Sequence, residues 1–390
     1  MGLKIAVIGA RGLPASYSGV ETHCEGLYLG LIEKGYEVIL YSRENYSAYK
    51  NYKGIKIKSI RMISIKGFDT FICSLISTIQ ATFSDADIIH FHAQGPAIFS
   101  WIPRLLAPKK IIGFTCHGID WQRDKWGFLA KLTIKLGEVA SARFPHFKIA
   151  VSQYLVDYYD KKYNVKLKRI FNGIEIQPSL PLTTTKAKYN LNENEYFLFV
   201  ARLVPEKAVE TLIKAIKTLK TDKKLVLVGD SSNTDDYVAY LKSLAENDER
   251  IIFTSYVYGD ELNELYSNAY AYISASKLEG LPITLLEAMS FARPVILSDI
   301  GPHVETLECD NSAGKLFEVN DLSGCAKAME SMLKLSDIEL EKMGLAAKNI
   351  VLKHFQWQNV IEQTDKLYRE YFSGSMDAII IQDKVGEKSN

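Results

Sequence analysis

The sequence predicts an α/β protein built from two doubly wound, parallel-sheet domains, and three observations predict it. At 390 residues the chain exceeds what one hydrophobic core usually serves. Short apolar runs alternate with helical stretches, first over residues 3–170 and again over 196–355, which is the pattern of parallel sheets flanked by helices. Between them, from about Gly173 to Glu195, periodicity is lost and Pro178, Pro181 and the run Thr183–Thr185 collect, as expected of a linker. The expected division is a first domain over 1–173, a linker over 174–195 and a second domain over 196–355.

The first half opens with a strand, Leu3 to Ile8, that ends in Gly9. A loop from Ala10 to Gly19 leads into an amphipathic helix from about Val20 to Lys34. Further strands are expected at Glu37–Tyr41, Ile55–Ile60, Asp87–Phe91, Lys110–Thr115 and Lys148–Val151. Ligands of such sheets bind outside the carboxyl ends of the strands, so Gly9–Gly19, His90–Gly95 and Cys116–Asp120 should line one crevice. Two helical stretches, Phe68–Phe83 and Pro96–Ala107 with Lys109 and Lys110 behind it, are unusually apolar. They read as packed helices on the sheet's flank, or as a surface that rests on a membrane. Asp85 and Asp87 spell D-x-D, but ahead of a strand, where turn chemistry explains them.

In the second half, strands are expected at Tyr196–Ala201, Leu225–Val228, Ile251–Thr254, Ala271–Ser274, Pro294–Ser298 and Gly314–Phe317. Helices follow at Leu322–Leu335, Ile338–His354 and Trp357–Phe372. The remaining tail should be poorly ordered, as unanchored termini are.

Composition narrows the function classes. Hydrophobic residues at 47% and charged residues at 24% are those of a soluble globular protein. A net charge of +1 argues against a nucleic-acid binder working through bulk electrostatics. The five cysteines, Cys24, Cys73, Cys116, Cys309 and Cys325, are scattered and lack metal-ligand spacing, which fits a reducing, cytoplasmic compartment. No signal peptide or membrane-spanning run is visible. The loop GARGLPASYSG (residues 9–19) fails the dinucleotide fingerprint, because Gly9 and Gly12 are too far apart and the third glycine is missing. Only Glu44, an acid after the second strand, would speak for a nicotinamide cofactor.

The most informative stretch is SASKLEGLPITLLEAMS, Ser274–Ser290, a strand end running into a helix from about Pro282 to Ala292. Proline at the first helical position gives up a donor that would be unpaired anyway. Gly280, Leu281, Pro282 and Ile283 then form a turn at a helix N-terminus, where amide N–H groups and the helix dipole favour phosphate. Glu279 and Glu287 flank it, a spacing that suits an elongated ligand with phosphate in its middle.

At these residues E-G-L-P-x-x-x-x-E-A-M resembles the two-glutamate motif of retaining glycosyltransferases of the GT-B fold, family 4. The resemblance implies two Rossmann-like domains facing a cleft, with the helix over 356–374 returning to the first domain ahead of a tail at 375–390. It implies a sugar moved from a nucleoside-diphosphate donor to a hydroxyl of a glycan or of a polyprenyl-diphosphate-linked acceptor. Within it, Arg202 and Lys207 match R-x-x-x-E-K-G and would grip the diphosphate, with Ala208 in place of the usual glycine. Glu279 would hold the donor sugar, and Glu287 the ribose diol, since a carboxylate accepts two donors at once. Asp230, Tyr256 and Val257 would lie near the base, and Gly12 and Gly19 would let backbone approach donor and acceptor.

His117, in TCHGIDWQRDKWG, matches a histidine that contacts the donor sugar in the family; a hydrogen-bonded structural histidine is the plainer reading. Asp120, Trp121 and Arg123 could grip an acceptor sugar or simply cap the next helix. With GARGLPASYSGVET, this segment resembles the N-terminal domain of bacterial rhamnosyltransferases of capsule and exopolysaccharide assembly. No cofactor and no metal are expected, because no carboxylates cluster at the crevice. A catalytically silent nucleotide-sugar binder and a sugar-nucleotide epimerase of the same architecture are the alternatives. A place against the inner face of the plasma membrane would suit a lipid-linked acceptor.

Overall fold

The computed structural model describes residues 2–15, 19–47, 49–61, 69–123, 126–232, 234–308 and 311–386, with backbone alone for 308, 311 and 375–386. The chain divides into two compact units. The first comprises residues 1–122, 126–173 and 357–390, the second 174–356 with 123–125.

The first unit carries β1 (Lys4–Ile8), β2 (Glu37–Arg43), β3 (Asn51–Tyr52), β4 (Ile55–Ile60), β5 (Ile88–His92), β6 (Ile111–Cys116), β7 (Phe147–Ala150) and β8 (Lys168–Arg169). They form one sheet in the order β3-β4-β2-β1-β5-β6-β7-β8. All neighbours are parallel except β3 and β4. β3 and β8 have two residues each, too few for a period-2 pattern to announce them. The central strands β5 and β6 are buried at every residue, as strands covered on both faces must be. Asp87 precedes β5 and accepts the Lys4 backbone N–H at 2.8 Å, while Asp85 pairs with the Lys4 ammonium at 2.6 Å. The D-x-D is thus tied into the amino end of the sheet.

The helix expected over Pro96–Ala107 is two short ones, Gln94–Ala97 and Trp101–Leu106. Pro103, inside the second of them, has no N–H for the carbonyl of Phe99, which removes one of the bonds that would join the two. The helix Asp69–Thr82 buries Cys73, Ser74, Ser77, Thr78, Ala81 and Thr82. Its apolar Phe71 and Ile79 are exposed, so the packed face is the small, polar one.

The last helix runs from Trp357 to Gly386, beyond the expected end near Phe372. Its first turns press on the helix Gly19–Glu33. A Cβ at Gly26 would stand 2.2 Å from the Trp357 ring, and one at Gly30 would stand 2.0 Å from Ile361. Those two glycines, one turn apart, let the helices approach.

The second unit carries β9 (Tyr196–Val200), β10 (Lys224–Val228), β11 (Ile251–Ser255), β12 (Ala271–Ser274), β13 (Val295–Ser298) and β14 (Gly314–Phe317). The sheet is parallel throughout, in the order β11-β10-β9-β12-β13-β14. Counted within the unit this is 3-2-1-4-5-6, the doubly wound order, and the chain reverses direction across the sheet between β9 and β12. The core gathers Phe197, Phe199, Leu225, Leu227 and Ile273 against Val209, Leu212, Ile213 and Ile216 of the helix Val209–Thr218.

The segment expected as a plain linker is ordered onto this unit. Ile174 donates its N–H to the Phe355 carbonyl at 2.7 Å, and Thr184–Tyr189 form a helix. The threonine run does specific work: Thr183, Thr184 and Thr185 all donate to the Glu264 carboxylate. Burial raises the pKa of Glu264, but these donors outweigh it and bring the carboxyl down to about 2.

Candidate functional site

In the second unit, β9 and β12 are paired in parallel, and their carboxyl ends open into the two loops that carry the candidate charges. After β9 the chain passes Arg202 and makes a single 3₁₀ turn, Pro205–Lys207. Ala208 then takes a left-handed conformation, φ +48°, so alanine adopts the turn that glycine makes more easily. The Lys277 N–H donates to the Glu206 carbonyl at 2.8 Å, tying the loop after β9 to the loop after β12. That tie sets Lys207 beside Glu279, and the two form an ion pair with both side chains largely withdrawn from solvent. Ser276 Oγ donates to Glu279 Oε1 at 2.8 Å. Burial raises the pKa of Glu279, but Lys207, His303 and Ser276 more than offset it and hold the carboxyl below its ordinary value.

Pro282 is the N-cap of the helix Ile283–Ser290 rather than its first residue. Its extended backbone, φ −74° and ψ 116°, turns the chain so that the helical amides begin at Ile283. Leu281 and Ile283 are buried, so a ligand at this turn meets backbone, with side chains anchoring from behind. Glu287 projects from the second turn, where its Oε2 accepts from Tyr266 Oη at 2.8 Å. Burial raises its pKa, only partly offset by that hydrogen bond.

The remaining predicted residues line the neighbouring strand ends. Arg202 Nη1 donates to Ser232 Oγ at 3.4 Å, in the loop after β10. Asp230 opens that loop and accepts from the Ser231 N–H at 2.8 Å. Tyr256 follows β11, is exposed, and donates to the Ser231 carbonyl at 3.1 Å, so it leans over the same loop. Val257 is buried, which leaves its backbone to contact a ligand. Tyr258 stacks on Tyr256 at 6.1 Å between ring centroids and extends this aromatic surface; the sequence reading missed it.

Also missed is His303, fully buried on the helix Gly301–Glu308 after β13. Its Nδ1 lies 2.9 Å from the Ser298 carbonyl, so Nδ1 carries the hydrogen and Nε2 is left as an acceptor with no partner. Burial lowers its pKa to about 4, which keeps the ring neutral.

In the first unit, Gly12 is required by close contact, since a Cβ there would stand 2.4 Å from the Tyr46 carbonyl oxygen. Gly19 begins the helix Gly19–Glu33. His117 follows β6 and joins a buried chain of polar rings. Its Nε2 lies 3.0 Å from His92 Nδ1; His92 Nε2 lies 2.6 Å from Tyr28 Oη, which in turn lies 3.1 Å from His90 Nδ1. Burial lowers the pKa of His23 to about 4 and of His90 to about 3, so both stay neutral near pH 7. Asp120 begins a 3₁₀ turn and donates its N–H to Gln94 Oε1 at 3.1 Å. Trp121 is partly buried and donates its indole N–H to Glu138 Oε2 at 2.6 Å. Glu138 also takes Lys162 and Tyr158, so the Trp121 cluster is a built structural network. Arg123 directly follows that 3₁₀ turn.

Residues 17–177 match the model of the Glycosyltransferase Family 4 domain, and residues 183–350 that of Glycosyl transferases group 1. An uncharacterized glycosyltransferase of Methanocaldococcus jannaschii is 26% identical over 399 residues, spanning 94% of this chain and 98% of that protein. The UDP-Gal:α-D-GlcNAc-diphosphoundecaprenol α-1,3-galactosyltransferase of Escherichia coli is 24% identical over 300 residues, 72% of this chain and 74% of that one. Among solved structures, Anabaena HepE in complex with UDP-glucose superposes with a TM-score of 0.79 at 17% identity, covering 94% of this chain and all (100%) of that one.

Proposed function

Because the chain is a GT-B glycosyltransferase of the family 4 kind, made of a Glycosyltransferase Family 4 domain and a group 1 domain, we propose that its second unit holds a nucleoside-diphosphate sugar. The sugar passes to a hydroxyl of a glycan or polyprenyl-diphosphate-linked acceptor in bacterial surface-polysaccharide assembly. The Lys207–Glu279 pair beside the start of helix Ile283–Ser290, where the sheet order reverses, carries this reading. One cation, one carboxylate and a set of helix amides at a single point suit a phosphate with hydroxyls beside it.

Arg202, Lys207 and the amides from Gly280 to Ile283 take the negative charge that develops on the departing diphosphate. Glu279 accepts from hydroxyls of the donor sugar, and His303 Nε2 offers a further acceptor near it. Glu287, steadied by Tyr266, accepts from the ribose diol. Asp230, Val257 and the Tyr256–Tyr258 stack form the base side. His117 is the residue of the first unit assigned to the donor sugar. Transfer proceeds with retention and without a metal bridging the diphosphate. The N-terminal loop and the His117–Gly127 segment favour a hexosyl or deoxyhexosyl unit, rhamnose among them. A thermal-shift panel of uridine, guanosine, adenosine and thymidine diphosphates tests the donor site. One base should raise the melting temperature well above the others, because ligand binding to the folded state stabilises it by mass action. Indifference to all four contradicts the assignment.

We further propose that the protein works against the cytoplasmic face of the membrane, as a lipid-linked acceptor requires. No helix among the described residues is long and apolar enough to cross a membrane. The helix Phe128–Arg143 exposes Phe128, Leu129, Leu132, Leu136 and Val139, and Trp101, Leu105 and Leu106 are exposed on the helix Trp101–Leu106. Lys131, Lys135 and Arg143 are the basic residues of the longer helix, and its one acid, Glu138, is buried. An apolar face edged with cations fits anionic lipid. Flotation should carry the protein with anionic vesicles at low salt and far less with neutral ones, and Phe128→Ser with Leu132→Ser should reduce it. Absence of binding to anionic vesicles contradicts this placement.

A further inference from the structure

Three imidazoles that are distant in sequence meet at the carboxyl edge of the first unit's sheet. His23 comes from the helix Gly19–Glu33, His92 ends β5 and His117 follows β6. Each can present one ring nitrogen to a common point, and these nitrogens all lie within 4.8 Å of one another. His23 and His117 meet edge to face at 4.7 Å between centroids, and His92 and His117 stack at 5.3 Å. His23 Nε2 is buried with no hydrogen-bond partner, which is costly for a polar atom unless something else meets it.

We propose that His23 Nε2, His92 Nδ1 and His117 Nε2 form a binding site for a transition-metal ion of the zinc class. The surrounding hydrogen bonds set the ring orientations that such a site needs. Asn172 Oδ1 lies 3.0 Å from His23 Nδ1, so Nδ1–H donates outward and the Nε2 lone pair faces the cluster. Tyr28 Oη lies 2.6 Å from His92 Nε2, and in the same way leaves His92 Nδ1 to face inward. Metal-bound histidines almost always have their second nitrogen fixed by such an outer partner. Nitrogens bound to tetrahedral zinc at about 2.1 Å stand roughly 3.4 Å apart, and His92 Nδ1 to His117 Nε2 is already 3.0 Å, so small ring rotations close the site.

An all-imidazole set selects zinc, copper or nickel over magnesium, calcium and manganese, which prefer oxygen. Three protein ligands leave a fourth position, the arrangement that keeps a zinc ion accessible to water or another small ligand. His23 and His92 are buried while His117 is partly exposed, so that position faces the His117 side. The ion would pin the helix Gly19–Glu33 to the ends of β5 and β6 and fix the His117 ring.

The test uses the untagged full chain, stripped with dipicolinate and titrated with zinc against a chromophoric competitor, with cobalt as a spectroscopic probe and magnesium as control. The proposal expects one strongly held zinc per chain, cobalt d–d bands of tetrahedral type, and no competition from magnesium. His117→Gln, on the open edge, and His23→Gln should each abolish tight binding while circular dichroism is unchanged. Asn172→Ala should weaken it about 10–100-fold by freeing the His23 ring. His146→Gln, outside the cluster, should leave it unchanged. Failure to bind zinc stoichiometrically, or tight binding that survives both His117→Gln and His23→Gln in folded protein, overturns the proposal.

Discussion

Glu279→Gln is expected to lower turnover by roughly 10²–10³-fold while nucleotide affinity changes by less than about tenfold, the signature of a contact made mainly in the transition state. The amide keeps the shape of the side chain and removes its charge. It also places an N–H₂ or a neutral oxygen against the Lys207 ammonium, where wild type has a carboxylate accepting from both Lys207 and Ser276. The sugar hydroxyls thereby lose a charged acceptor, and Lys207 loses the group that aims it at the phosphate. In the wild type the Glu279 pKa is depressed, so the carboxylate stays ionised to pH values below its ordinary range, and its charge would be lost only as pH falls through that lowered value. Turnover between about pH 6 and 8 should accordingly show no loss attributable to protonation of Glu279. Steady-state kinetics alongside nucleotide titration read both quantities, and a variant with unchanged turnover and an intact fold removes Glu279 from the site.

Lys207→Ala is expected to cost at least as much turnover, and Arg202→Ala a comparable amount, about 10²–10³-fold each, because each removes a donor from the departing diphosphate. The Lys207 variant carries a second consequence. Breaking a buried pair by removing one partner leaves an uncompensated charge and destabilises by about 3–5 kcal/mol. The double variant Lys207→Ala with Glu279→Gln removes that charge as well, so it should regain most of the melting temperature while remaining inactive. That split separates a role in chemistry from a role in folding. In the wild-type protein, excess EDTA should cost no turnover that magnesium or manganese restores. Loss to EDTA repaired by magnesium or manganese contradicts direct binding of the diphosphate by Arg202 and Lys207. Repair by zinc alone points instead to the His23, His92 and His117 cluster.

Much of the architecture is legible in the sequence, because parallel strands read as short apolar runs where both faces are covered, as in Ala271–Ser274, or as apolar–polar alternation where one face is, as in Ile55–Ile60. Ile55–Ile60, Ala271–Ser274 and Gly314–Phe317 fall at the expected residues. Local chemistry that depends on distant partners is less legible. Nothing near Thr183–Thr185 announces that Glu264, about 80 residues on, turns a threonine-rich linker into an ordered cap. Pro103 is visible, yet whether it kinks one helix or separates two depends on how Ser100 and its neighbours pack. Likewise, nothing beside Trp121 announces that Glu138, 17 residues on, takes its indole N–H.

At the site, motif spacing locates Glu279, Lys207 and the Gly280–Ile283 turn, since all three belong to loops whose positions follow from the strand order. His303 and the His23–His92 contact escape that reasoning, because single histidines carry no periodicity and their meaning lies in which rings the fold brings together. The H-x-H at the end of β5, His90 and His92, was the one signal in the sequence that could have pointed there. The departure at Ala208 resolves in the backbone, which takes the left-handed turn regardless.

Sugar transfer from a nucleoside diphosphate through the Lys207–Glu279 site is the proposal on which the other assigned roles depend. The most direct measurement is chromatographic product analysis of the purified protein with a panel of nucleotide sugars and a pooled lipid-linked glycan fraction as acceptor. The account predicts that one donor releases its nucleoside diphosphate in step with a lengthened acceptor, and that both products fall together in Lys207→Ala. Tight donor binding with no transfer from any donor to any acceptor in the pool, or an isomerised donor formed without acceptor, would contradict it.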